Sequence, residues 1–242
     1  MISLLTFGFL LGIRHALEAD HIATVASLAS SHTSRHQMMR QGFAWGIGHS
    51  LTLLLFGSVV LWMDTLISAR LASALEMAVG VMMVLLGADV IRRAIKSRIH
   101  FHAHNHGEKK HFHAHRHTHE ELQHHDSAPT HQHSHPKSLP LRALLMGLIH
   151  GMAGSAVLIL LFIDRTQNVW QGILSITLFS IGSMVGMLLF SLAISLPLGI
   201  TAKKLTTFHH GLQVGIGLTT IGLGLLLLVR EMPDSVLLSL WI

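Results

Sequence analysis

The chain has 242 residues, 50% of them hydrophobic and only 12% charged, with a net charge of +5 when histidine is counted as neutral. A soluble domain carries about 25% charge, so this composition and a mean hydropathy of +0.52 argue against one soluble domain and for several membrane spans. There is no cysteine, which excludes disulfides and thiolate metal sites and leaves nitrogen, oxygen or thioether donors for any metal.

Six apolar runs are long enough for the ~20 residues that a bilayer core requires: residues 2–29, 42–63, 72–95, 141–163, 170–200 and 209–229. The first run has no basic leader and is interrupted by polar residues, so it reads as a span rather than a cleavable signal. Its interruption is Arg14-His15-Ala16-Leu17-Glu18-Ala19-Asp20-His21. One charge at the centre of a span costs at least ~2.5–3.5 kcal/mol. Such residues persist when they face the protein interior, pair with one another or bind something. Apolar residues continue on both sides, so the cluster does not lie at an end of the span. A pairing of Arg14 with Glu18 at i,i+4 is the plain structural alternative.

The second span carries His49 and the fourth His150. Either alone reads as a packed, hydrogen-bonded histidine. With 1.5 Å of rise per residue, however, His21, His49 and His150 each lie roughly 12–15 Å from the same side of the membrane, near the middle of a ~30 Å core. Imidazole suits nickel, zinc, copper or iron, and a carboxylate can join it. On a regular helix at 100° per residue, His15, Asp20 and His21 cannot all point one way. Either the helix is broken there or only some of them are ligands. Glu18 is a ligand, an orienting partner for an imidazole, or the partner of Arg14.

Between the third and fourth spans lies a segment, about residues 96–140, in which positions 100–135 hold fourteen histidines, many alternating, as in His100, His102, His104, His106 and His111, His113, His115, His117, His119. Such composition does not build a packed core and is expected to be disordered without ligand. His-rich tracts bind metal, here weakly, at many sites and with little selectivity, and titrate near pH ~6.5.

The halves resemble each other. Gly12-Ile13-Arg14-His15 parallels Gly147-Leu148-Ile149-His150. Ile47-Gly48-His49-Ser50 parallels Ile181-Gly182-Ser183-Met184, and Leu75, Gly80 and Arg93 parallel Leu212, Gly217 and Arg230, at offsets of 135, 134 and 137. Three spans per unit is an odd number, so the second copy enters from the opposite side: an inverted repeat, with the site expected near the midplane. The expected fold is an all-α membrane protein of six helices in a 3+3 inverted repeat, divided as 1–95, a His-rich loop 96–140, and 141–242. Of the flanking basic residues, Arg35, Arg40, Arg92, Arg93, Lys96, Arg98, Lys109, Lys110, Arg116, Lys137, Arg142, Lys203 and Lys204 fall on one side and Arg70, Arg165 and Arg230 on the other. The richer side is expected to be cytoplasmic. That puts the loop inside and both termini outside the cell (inner) membrane.

The run from Arg14 to Ile22 resembles the signature of the nickel/cobalt transporter family (NiCoT), R-H-A-x-x-A-D-H-I, and Gly48-His49-Ser50 resembles its second motif. Gly147-Leu148-Ile149-His150-Gly151-Met152-Ala153-Gly154-Ser155 is similar to the G-x-x-H-G-x-A-G-S of its compact, UreH-like branch. Typical members have eight spans with the signature in the second. This chain has six, with the signature in the first, and lacks the acidic L-G-x-D-T-A-T-E-type motif of the second half. The resemblance implies His15, Asp20, His21 and His49 as ligands, and a secondary transporter of nickel or cobalt, in the uptake direction, with efflux as the alternative.

No G-x-x-x-x-G-K-[ST] occurs, so ATP is not expected to drive the chain directly. No H-E-x-x-H occurs either, which argues against an intramembrane metalloenzyme, although His15, Asp20 and His21 have the chemistry to hold a catalytic metal. A storage or accessory protein that uses only the loop is a further alternative. The expected metal-site residues are thus His15, Glu18, Asp20, His21, His49 and His150. The expected partners are a divalent metal ion as cargo, the bilayer and a cytoplasmic metal-accepting protein. Neither a resident cofactor nor nucleic acid is expected.

Overall fold

The computed structural model describes residues 2–32, 34–63, 68–96, 100–106, 109–115, 140–153, 168–204 and 206–232. In chain order these form α1 (Ile2–His15), α2 (Ala19–Ala29), α3 (Arg35–Met63), α4 (Ala69–Lys96), strands β1 (His100–His106) and β2 (Lys109–His115), α5 (Leu141–Ala153), α6 (Val169–Lys204) and α7 (Thr206–Glu231). Four helices, Arg35–Met63, Ala69–Lys96, Val169–Thr201 and Phe208–Glu231, are long and apolar enough to cross a membrane. The chain is a multi-pass membrane protein. Many large apolar side chains point outward, among them Trp62, Leu85, Leu141 and Leu226, as helices in contact with lipid require.

The first apolar run is not one continuous helix, as its length suggests. It breaks at Ala16–Glu18. There the Leu17 and Glu18 amides donate to the Arg14 and His15 carbonyls, both at 3.0 Å, in the tighter i→i+3 pattern. Glu18 then takes an extended conformation (φ −68°, ψ 150°) and caps α2. The fourth run is described as α5 to Ala153 only, and its expected remainder to residue 163 lies outside the described residues.

The helices meet at glycines. α1 packs on α6, α3 on α5 and α6, and α4 on α7. A methyl group added at Gly12 would meet the Phe179 carbonyl oxygen and come within 2.8 Å of the Ser183 amide nitrogen. One added at Gly147 would meet the Trp45 carbonyl oxygen and come within 2.9 Å of the His49 nitrogen. Likewise Gly182 faces the Phe9 carbonyl and Gly48 the Leu144 carbonyl. Added methyls at Gly80 and Gly217 would lie 3.0 Å from the Gly224 and Gly87 oxygens. Only hydrogen fits at these crossings. Close backbone approach of this kind is how helices associate in lipid, where there is no hydrophobic driving force between them.

Polar pins complete the packing. Ser27 and Thr220 hydroxyls bond at 2.8 Å, and Gln213 Nε2 donates to the Ser30 carbonyl at 2.8 Å, which fixes α2 on α7. Asp89 on α4 pairs with Arg92 at 2.7 Å, Arg93 at 3.3 Å and Arg142 of α5 at 2.9 Å.

Within the His-rich segment, expected to be without order, β1 and β2 instead pair antiparallel, with His100 opposite His115, His102 opposite His113 and His104 opposite His111. The alternation of histidine with other residues has the period of a strand, which a reading by composition alone overlooks. Residues 116–139 lie outside the described residues.

Candidate metal centre

The break between α1 and α2 builds the site. A continuous helix would turn His15 and His21 to different faces. The extended Glu18 re-aims the chain, and the two imidazoles come together with ring centroids 4.3 Å apart. His49 comes in from α3, with centroids 5.4 Å from His15 and 5.0 Å from His21. His150 comes from α5, 4.4 Å from His21 and 5.9 Å from His49. All four are buried, at 5%, 1%, 0% and 1% exposure in chain order. The common depth read from the sequence for His21, His49 and His150 therefore corresponds to a common place.

Asp20 opens α2 and joins two of the rings. Its Oδ1 accepts from the backbone amide and from Nδ1 of His21, both at 2.9 Å. Its Oδ2 accepts from His150 Nε2 at 2.9 Å. A carboxylate beside an imidazole fixes the tautomer and orients the opposite nitrogen. Accordingly, among the described residues His21 Nε2 and His150 Nδ1 are buried without a partner, as are His15 Nε2 and both nitrogens of His49. A buried polar atom left unpaired costs about 1–3 kcal/mol, so several together make a cluster ready for a ligand.

Two overlapping donor sets result: His15, His21 and His49, and Asp20, His21 and His150, in each of which the ligand atoms lie within 4.8 Å of one another. Imidazole nitrogens on one first-row divalent ion at about 2.0–2.1 Å are at most about 4.2 Å apart. An ion thus needs only a small inward movement of these side chains.

Glu18 is placed differently from the rest. Its carboxylate lies 3.1 Å from His15 Nδ1 but its side chain is 57% exposed. Among the described residues it belongs to neither donor set, and it is placed to orient His15 from outside.

Sequence reasoning missed the aromatic walls. Trp45, fully buried, stacks against His49 at 5.8 Å and meets His21 and His150 edgewise at 5.4 and 5.5 Å. Phe179 lies 5.3 Å from His15. The signal for Trp45 was its place one helical turn before His49, on the same face.

The chain matches the model of the NicO family, described as high-affinity nickel-transport protein, over residues 1–232. It is 32% identical over 222 residues to the urease accessory protein UreH of Bacillus sp. (strain TB-90), covering 91% of this chain and 89% of the relative. No solved structure matches the chain. A family pattern that runs through every helix described above leaves no separate part to be explained otherwise: the chain belongs to the NicO family of high-affinity nickel-transport proteins, membrane transporters rather than enzymes.

Proposed function

We propose that the chain is a secondary transporter that carries nickel, or cobalt, inward across the cell's inner membrane through a midplane site of His15, Asp20, His21, His49 and His150, with Glu18 orienting His15. The observation that carries this reading is the convergence of four buried imidazoles and one carboxylate from the first, second and fourth apolar runs, with several nitrogens unpartnered among the described residues. A hydrated divalent ion gives up water only for donors that replace it. Neutral imidazoles do so without adding charge to the core, and Asp20 balances part of the ion's charge.

The inverted 3+3 repeat, with units 1–95 and 141–242, supports alternating access about this site. In its favour, the glycine crossings occur in mirrored pairs. Gly12 on Phe179 and Ser183 has its counterpart in Gly147 on Trp45 and His49, and Gly182 on Phe9 in Gly48 on Leu144. These pairs follow the offsets of 134 and 135 found in the sequence. The excess of Lys and Arg on one side supports a cytoplasmic His-rich segment and external termini. From there the segment passes ions to a cytoplasmic metal-accepting protein, a role that fits the relative's name as a urease accessory protein.

Direction is tested by nickel and cobalt accumulation in cells that express the wild type and His21→Ala. The proposal expects the wild type to raise cell metal and His21→Ala to abolish the rise. A fall in cell metal that His21→Ala abolishes would make the chain an exporter through the same site.

A further inference from the structure

Resting on the midplane reading above, we infer that the hydroxyl of Ser183 on α6 is a further donor of the ion site, facing His15 from the second half as His49 faces His150 from the first. Ser183 is fully buried, and its Oγ has no partner among the described residues. Its place follows from the mirrored packing.

A methyl added at Gly147 would meet the Trp45 carbonyl and come within 2.9 Å of the His49 nitrogen. One added at Gly12 would meet the Phe179 carbonyl and come within 2.8 Å of the Ser183 nitrogen. The flanking aromatics repeat the relation: Trp45 is 5.5 Å from His150, and Phe179 is 5.3 Å from His15. Each contact thus has its counterpart, and the counterpart of His49 is Ser183, as that of His150 is His15.

Ser175, Ser180 and Ser191 on α6 are also buried with hydroxyls unpartnered among the described residues, but none occupies this mirrored position. A serine in a helix ordinarily returns its proton to the carbonyl one turn back, as Thr177 does to Ile173 at 2.8 Å. Ser183 makes no such bond among the described residues, so its hydroxyl is left available to a ligand. A hydroxyl offers a lone pair without charge. It serves the ion directly or holds one of its waters beside His15, and it leaves the three-imidazole set on one side of the pseudo-twofold axis only. The site is thereby asymmetric: nitrogen-rich toward His49 and oxygen-bearing toward α6.

The test is cobalt(II) titration of the purified full-length protein, followed by visible absorption, on wild type, Ser183→Ala, Ser183→Thr and His21→Ala. The spectrum of His21→Ala gives the contribution of the His-rich segment and is subtracted. The inference expects Ser183→Ala to shift the cobalt bands and weaken the tightest binding about tenfold, and Ser183→Thr, which keeps the hydroxyl, to restore both. A wild-type spectrum and affinity in Ser183→Ala, with the tightest binding lost in His21→Ala, would overturn the inference and leave the midplane reading intact. The same holds if Ser183→Ala lowers only the unfolding temperature. If His21→Ala also binds as wild type, the midplane reading fails and the inference with it.

Discussion

Replacing Gly147 by alanine tests whether helix contact sets the geometry of the site. The added methyl would overlap the Trp45 carbonyl oxygen and stand 2.9 Å from the His49 nitrogen and 3.0 Å from the Trp45 carbonyl carbon. Ordinary contact is about 3.5–4.0 Å, so α3 and α5 must separate by ~1 Å. Backbone atoms cannot turn aside as a flexible side chain does. Overpacking of this kind costs about 1–3 kcal/mol, and one or two kcal/mol is a factor of about 5–30 in the folded-to-unfolded ratio. The same movement carries His49 of α3 away from His150 of α5, whose ring centroids are now 5.9 Å apart, and so pulls apart the two donor sets that share His21. Gly147→Ala is therefore expected to lower the unfolding temperature in detergent and to weaken nickel binding together. Gly222→Ala on α7 is the control: nothing lies within 4 Å of a methyl there, and alanine is favoured over glycine in a helix by ~0.5–1 kcal/mol. If Gly147→Ala were as stable as the control and bound nickel as wild type, the contact would not set the site.

Three further outcomes are expected. Asp20→Asn keeps the size of the side chain but loses the charge that accepts from His21 and His150; nickel affinity should fall about 10–100-fold by calorimetric titration, with little change in fold. Deleting residues 100–135 should remove the weak, multiple class of sites and reduce, but not abolish, nickel transport; complete loss of all binding would mean that the loop alone holds metal. Acidification should release metal from the His-rich segment as pH falls through ~6.5, because imidazole ligates only when neutral; equilibrium dialysis of radioactive nickel at pH 7.5 and 5.5 should show occupancy present at the higher pH and lost at the lower.

Much of the site was legible because buried ionisable residues in a membrane span are costly and so stand out. His15, Asp20 and His21 stood out by that signal, and depth counted along each span added His49 and His150, each of which alone reads as a packed histidine. The break at Ala16–Glu18 was open to two readings, since helical geometry forbids the three ligands one face but does not say where the chain gives way. Glu18 was left in the sequence as a ligand, an orienting partner or the partner of Arg14, whereas the resemblance implied Asp20 as a ligand. The exposure of Glu18 separates the two, and exposure depends on which way the break turns the chain. Trp45 and Ser183 carry no such mark, because an apolar indole or a small hydroxyl in a membrane helix is ordinary until its neighbours are known. The hairpin at 100–115 was hidden for another reason: composition argued for disorder, while alternation, the weaker cue, argued for strands.

The central claim is that nickel passes through the buried His/Asp cluster. It is tested most directly by nickel uptake into proteoliposomes holding the purified full-length protein or its His21→Ala variant. His21 belongs to both donor sets, so its loss should reduce uptake to that of empty liposomes while the His-rich segment still binds metal. Uptake by His21→Ala at the wild-type rate would contradict the account, because the ion would then cross by a route that does not include the cluster.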